Sequence, residues 1–352
     1  MSIDDLVRQT GEWLRGDGPF ADVVISSRIR LARNITGFAF LPKATEDDRR
    51  KVFRLIGDCI SDSPLGAETI LVDIAEAEDL DRQILVERHL ISRQHAEGDG
   101  TRGVAISRSE RRAVMINEED HLRIQALRSG LQIAALFEEI QEIDNMLEQQ
   151  IEYAFDDRFG YLTACPTNVG TGMRVSVMLH LPALKLTNQI ENMFRAAKDM
   201  RLAVRGLYGE GTDATGDFFQ VSNQTTLGRS EEEICEDFGE KVIPKIVSFE
   251  LAAREALMSE RVDLLDDKVW RAFGTLGNAR TISSDESLFL LSHVRMGVSM
   301  GRCSDLNLNK VNEMFIQSQS AHLQKLHGRR MDGAERSVVR ADYLRRMLGS
   351  NN

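Results

Sequence analysis

Several things are scarce in this 352-residue chain, and each scarcity excludes something. Aromatic residues make up only 6%, prolines number six and cysteines four. Cys59, Cys165, Cys235 and Cys303 follow no pairing pattern and form no Cys-x-x-Cys, which speaks against a disulfide framework and favours a reducing cytoplasm. No apolar run is long enough to span a bilayer, and the opening MSIDDLVRQTGEWLRGDG has no apolar h-region, so neither a membrane span nor a secretory signal is expected. An excess of basic charge is also missing. With 44 Lys and Arg against 55 Asp and Glu the net charge is -11, which argues against general nucleic-acid binding. The glycines of CPTNVGTGMR (165–174) are not followed by Lys-Ser or Lys-Thr, so this is no Walker-type phosphate loop. Internal repeats and low-complexity tracts are absent.

What is present is a chain with 42% hydrophobic residues, enough for a sizeable core, and a length that suggests two domains. In ADVVISSRIRLARN, alternation puts Val23, Ile25, Ile29 and Leu31 on one face and Ser26, Arg28 and Arg30 on the other. MRVSVMLHLP sets Val175, Val177, Leu179 and Leu181 together, with Arg174 opening the opposite face. MRLAVRGLYGEG places Leu202 and Val204 against Arg201, Ala203 and Arg205, and RRAVMINEEDHLRIQ has a short apolar run ending in an acidic turn. Strands with one apolar face predict a largely antiparallel sheet. Helical spacing marks 133–151 and a segment capped near Thr187, and Ser230 with Glu233 predicts a capping box before Pro244 interrupts the pattern. Further helices are expected over about 262–273, 284–300, 305–327 and 333–348. The reading is therefore a sheet-based catalytic domain over 1–255 and a helical domain over 256–352, with 95–103 the most mobile surface loop.

Arg28, Arg30, Arg174 and Arg205 all fall on polar strand faces, and Arg123 follows Glu119 by four residues. Any one of them alone reads as a solvated surface charge. Several polar faces of one sheet collecting arginine point instead to an anion between them, and guanidinium forks match phosphate oxygens bidentately. Beside them stand Glu118, Glu119 and Asp120 of NEEDHLR and Glu210 of RGLYGEGTD. A metal cage is not expected there, because adjacent residues diverge and His121 has no second histidine at ligand spacing.

The ordered motifs SSRIRLAR, NEEDHLR, CPTNVGTGMR and VRG-x-x-GE resemble the catalytic domain of the phosphagen (guanidino) kinases over roughly residues 20–230. The whole chain more closely resembles the bacterial protein-arginine kinases, since it lacks a helical domain before SSR-x-R and has one at the C-terminal end. The resemblance implies a glutamine-synthetase-like α+β fold, a curved antiparallel sheet flanked by helices, followed by an all-helical C-terminal domain. It implies that Ser27, Arg28, Arg30, Arg123, Arg174 and Arg205 bind ATP, with Mg2+ held mainly through the nucleotide phosphates. Glu119 and Glu210 would grip the acceptor guanidinium, beside the reactive Cys165.

In the family, an Arg-Asp-x-x-Arg-Ala motif forms a phosphoarginine-binding regulatory pocket. Arg336, Arg340 and Ala341 match it here, but Ser337 stands where aspartate is expected. The resemblance further implies protein substrates with exposed arginine, an activator protein, Clp-type degradation machinery and self-association. Two other readings compete: a phosphagen kinase acting on free arginine or another small guanidine, and a non-catalytic adaptor that binds phosphoarginine. Both glutamates and all the motif arginines are present, which disfavours the adaptor.

Overall fold

The computed structural model describes residues 3–207 and 215–349. The strands, in chain order, are β1 (Val24–Arg33), β2 (Thr69–Asp73), β3 (Gly103–Ser107), β4 (Arg112–Ile116), β5 (Leu122–Ser129), the short hairpin β6 (Phe155–Asp156) and β7 (Gly160–Tyr161), β8 (Met173–His180), β9 (Leu202–Arg205) and β10 (Phe218–Asn223). Apart from the hairpin they form one antiparallel sheet ordered β2-β3-β4-β5-β1-β8-β10-β9, with β1 between β5 and β8. The expected α+β class is the observed one.

Before residue 200 the helices are α1 (Ile3–Val7), α2 (Glu46–Ser61), α3 (Asp79–Glu87), α4 (Arg93–Glu97), α5 (Ile133–Glu148), α6 (Pro182–Leu186) and α7 (Ile190–Asp199). Beyond it come α8 (Glu231–Glu236), α9 (Ile243–Glu260), α10 (Val262–Asn278), α11 (Ser284–Ser299), α12 (Leu308–Gln317), α13 (Ser320–Leu326) and α14 (Gly333–Met347). The Ser230–Glu233 capping box forms as expected, and a π-helical turn over 237–242 joins α8 to α9. Thr187 does not start a helix. It ends α6, where its hydroxyl donates to the Ala183 carbonyl at 2.8 Å. The segment 95–103 is less open than predicted: α4 takes its first residues, and buried Arg102 donates to the carbonyls of His95 and Gly100.

The two sheet faces differ in chemistry. On one, Ile29, Leu31, Ile124, Val175, Val177 and Val221 pack beneath α2, α5 and α9 in the main core. Residue 255 lies inside α9, whose Ala253 and Leu257 both belong to that core. On the other face, Leu127, Met178 and Phe218 meet Leu288, Leu291, Phe315 and Leu344 of α11, α12 and α14. Ile25 joins this second cluster, contrary to simple alternation. A register shift between Val24 and Ser26 on the β8 side reverses its direction, as a bulge does.

The helical part is bolted on by buried polar contacts. Arg295, fully buried, donates to the carbonyls of Ala21 and Asp22 and bonds Asn312 and His180. What remains of the second sheet face, between this cluster and the one under β3 and β4, is the cleft.

Candidate active site

Register assigns the cleft floor. Arg30 stands opposite Arg174 of β8 and Gln125 of β5, Arg28 opposite Ser176, and Arg123 opposite Ala32. Residues two apart along a strand share a face, so Arg28, Arg30, Arg123 and Arg174 all point the same way. Arg205 of β9 pairs with Gln220 of β10 on that face. All five arginines, with Glu119 and Cys165, line one cleft of about 820 Å³. A neighbouring groove of about 940 Å³ shares Val86 and Arg93 with it, and its lining carries more acidic than basic residues.

Within the floor, Arg28 and Arg30 make no ion pair with a carboxylate among the described residues. Arg28 donates to Gln220 Oε1 at 3.0 Å and to Ser176 Oγ at 3.4 Å, both neutral acceptors. Burial, then the charges of Arg123 and Arg174, pulls its pKa down to about 10. Arg30 is pushed well below its usual value by burial and by Arg28, Arg123 and Arg174, and its buried Nε has no hydrogen-bond partner among the described residues. A buried donor left unpaired is costly, about 1–3 kcal/mol and more when charged. Guanidinium forks arranged this way are suited to an anion with several oxygens.

The carboxylates beside the floor divide their work. Glu118 receives Arg123 at 2.6 Å, the Ser92 hydroxyl at 2.6 Å and the Glu119 backbone N–H at 2.9 Å. Burial alone would raise its pKa, but Arg123 and Ser92 outweigh it and hold the group at about 2. Glu119 is raised above the ordinary carboxylate range by burial, aided by Asp120 and Glu118 against the pull of Arg123. Of the two glutamates beside the floor, it is the one shifted toward the protonated form.

Asp120 turns away and accepts from the Ala164 N–H and Asn34 Nδ2, each at 2.6 Å. The Asp120–Ala164 bond ties the Glu119 turn to the residue preceding Cys165. His121 is structural: its Nδ1 accepts from the Ile35 N–H at 3.0 Å, and Nε2 donates to the Ala39 carbonyl at 3.1 Å.

The cysteine loop is a close-packed strap. Gly170, at φ 114°, lies where a Cβ would meet the Thr226 carbonyl oxygen at 2.2 Å, and at Gly172, φ 64°, one would meet the Ala32 carbonyl oxygen at 2.6 Å. Only glycine permits both approaches. Thr226 donates to the carbonyls of Thr167 and Val169, and buried Arg33 donates to that of Thr171 while stacking on Tyr161 and pairing with Asp144. Cys165 is half-buried at the start of the turn, its Sγ 3.0 Å from Thr167 Oγ1.

Two expected residues, Ser27 and Arg340, fall elsewhere. Glu210 lies outside the described residues. Ser27 sits on the opposite face: it pairs with Val177, donates to the Gly130 carbonyl and accepts from the Gln132 N–H, fastening β1 to the start of α5. One-residue alternation from Arg28 dictates this. Arg340 does share a helix face with Arg336, but it is buried and its donors reach Ser318 O, Ile282 O and Ser320 Oγ rather than an open pocket. Arg336 donates to the Met331 carbonyl, and Ser337 to Gly333 within the helix.

The cleft also holds residues the sequence reading did not reach. Ser176 and Gln125 were accessible to the alternation rule, lying two residues from Arg174 and Arg123. His89, Ser92 and Arg93 arrive on the connection after α3 and carried no local signal.

An antiparallel sheet whose polar face gathers guanidinium groups for a polyphosphate beside carboxylates for a cation defines a guanidino phosphotransferase. The sequence pattern described as "ATP:guanido phosphotransferase, C-terminal catalytic domain" matches residues 56–253, and the chain belongs to this family. Residues 262–352 match "Protein-arginine kinase McsB C-terminal domain". The protein-arginine kinase of Symbiobacterium thermophilum is 44% identical over 99% of this chain and 100% of its own length, and that of Geobacillus stearothermophilus 43% identical over 96% and 93%. Within the family, therefore, the chain belongs with the protein-arginine kinases. Among solved structures, lombricine kinase superposes with a TM-score of 0.59 at 26% identity, covering 71% of this chain and 76% of that one.

Proposed function

We propose that this chain transfers the γ-phosphate of ATP to the guanidinium group of arginine side chains in proteins. The observation that carries the reading is the converging arginine floor with its unpaired Arg30 Nε, adjoining a carboxylate of raised pKa. Arg28, Arg30, Arg123, Arg174 and Arg205 hold the phosphates, because charge neutralisation and in-line alignment are most of what phosphoryl transfer requires. Glu119, with Glu210, orients the acceptor guanidinium. As the N–P bond forms and the Pγ–O bond to ADP breaks, a carboxylate accepts the proton that the acceptor nitrogen loses. Cys165 lies beside that cation.

Among the described residues no group of three or more His, Cys, Asp or Glu is placed to hold a metal ion. Magnesium would arrive on the nucleotide and neutralise phosphate charge.

Protein substrates follow from the family. An activator, Clp-type degradation of marked clients, self-association and a cytoplasmic setting complete the proposal. No helix among the described residues is long and apolar enough to cross a membrane. The sheet-based part ends with α9 and the helical part begins at Val262. The phosphoarginine pocket at Arg336, Ser337 and Arg340 carries one requirement: the ligand has to displace the carbonyls that Arg340 now contacts.

Incubation with ATP, Mg2+ and either an unfolded protein or free arginine decides the substrate. Acid-labile phosphate on arginine residues of the protein is expected. Label on free arginine alone would favour a small-guanidine kinase, and no label on either would leave only a binding role.

A further inference from the structure

We infer that Glu87 and His322 form a clasp by which the helical C-terminal part holds the nucleotide side of the cleft in shape, making both of them positioning residues for phosphoryl transfer. Glu87 is the last residue of α3. Its carboxylate accepts the backbone N–H of Ala321 at 2.8 Å and of His322 at 3.2 Å, and His322 Nδ1–H at 2.6 Å. His322 Nε2 faces Arg88 Nη1 at 3.2 Å. A carboxylate only accepts and a guanidinium only donates, so Nδ1 carries the proton and Nε2 accepts. Both side chains of His322 and Arg88 are fully buried, and Arg88 is further locked on Glu110 and the Gln9 carbonyl.

The clasp sets the start of a strap that runs straight into the cleft. His89 takes the left-handed conformation, φ 58°, which a side chain disfavours unless its surroundings impose it. Its carbonyl receives Gln125 Nε2 at 3.0 Å, and three residues later the Ser92 hydroxyl donates to Glu118, the partner of Arg123. His89, Ser92 and Arg93 all line the cleft. At the other end, Arg340 of α14 holds the Ser318 carbonyl and the Ser320 hydroxyl, just ahead of the N–H groups that Glu87 receives. A continuous series of hydrogen bonds therefore joins α14 to Arg123, through residues 318–322 and 87–93.

The inference rests on reading the cleft as the nucleotide site, so the experiment separates the two. ATP titrated into the unaltered full-length chain by calorimetry tests the site itself, and absent binding overturns both statements. Glu87→Gln and His322→Ala are then titrated alone and together. Losing a charge-assisted hydrogen bond that shapes the site should weaken ATP about tenfold, with turnover at saturating ATP largely retained. The double variant should be no weaker than the worse single one, because both changes open the same clasp. Glu87→Asp, which keeps the carboxylate, should recover part of the affinity and covers the case in which Glu87→Gln does not fold. Folded variants that bind ATP as the unaltered chain does, or losses that simply add, overturn the clasp.

Discussion

Two sets of arginines in this molecule differ in what meets their donors. Arg33, Arg88, Arg295 and Arg340 are buried against carboxylates or backbone carbonyls that meet their donors. Arg28 and Arg30 face neutral side chains and one another, and Arg30 Nε meets nothing among the described residues. The first set holds elements together. On the function proposed here, the second meets an incoming polyphosphate, which offsets the cost of holding those charges close together. Residue type does not separate these roles; the acceptors do.

The carboxylate beside the floor gives the largest expected effect. Glu119→Gln should lower kcat by about 10²–10⁴, the usual range for a positioned acid or base, while ATP binding survives. Its raised pKa sets the sign with pH. Activity in the unaltered chain should fall as pH drops through a value above the ordinary carboxylate range, and that acid limb should vanish in the variant. A folded carboxyl that holds its proton more tightly than the unfolded chain loses stability when ionised, so Glu119→Gln should not lower the melting temperature at neutral pH. Steady-state kinetics over pH, with a thermal scan, checks both.

The structural arginines should respond in the other sense. Arg340→Met leaves carbonyls of Ser318 and Ile282 without their donor, and should cost about 1–3 kcal/mol in a denaturant titration. It should leave ATP affinity changed less than any cleft arginine does. A variant of Arg340 as stable as the parent would remove the contrast between the two sets.

Cysteine labelling gives the smallest effect. Cys165 is half-buried, and Cys59, Cys235 and Cys303 are buried. Alkylation followed by mass spectrometry should modify Cys165 first, and ATP with acceptor should slow that reaction only. If bound ligands leave its rate unchanged, Cys165 is not beside the acceptor.

Much of this was legible before any coordinates. The alternation that put Arg28, Arg30, Arg174 and Arg205 on polar faces holds in the sheet, because side-chain direction in a strand follows from its period of two. The same rule puts Ser27, one residue from Arg28, on the opposite face, and a bulge defeated it at Ile25. The helical stretches after residue 260 are amphipathic or capped locally and largely kept their positions, except that the one expected over 305–327 is broken at Ser318 and Gln319 into α12 and α13. What stayed hidden depends on distant contacts. Nothing around His89 or Ser92 announces a cleft residue, and Glu87 meets His322 from 235 positions away. Nor does the spacing of Arg336 and Arg340 reveal that the second is occupied by carbonyls.

The central claim is that the cleft arginines await an anion, and Arg30→Met tests it in one variant. Thermal scans without nucleotide and ATP titrations by calorimetry should move in opposite directions. Removing a buried, incompletely paired charge should raise the melting temperature of the empty protein, while ATP affinity falls at least about tenfold. A variant that melts lower than the parent yet binds ATP normally would contradict the account, placing Arg30 with the arginines that hold the fold together.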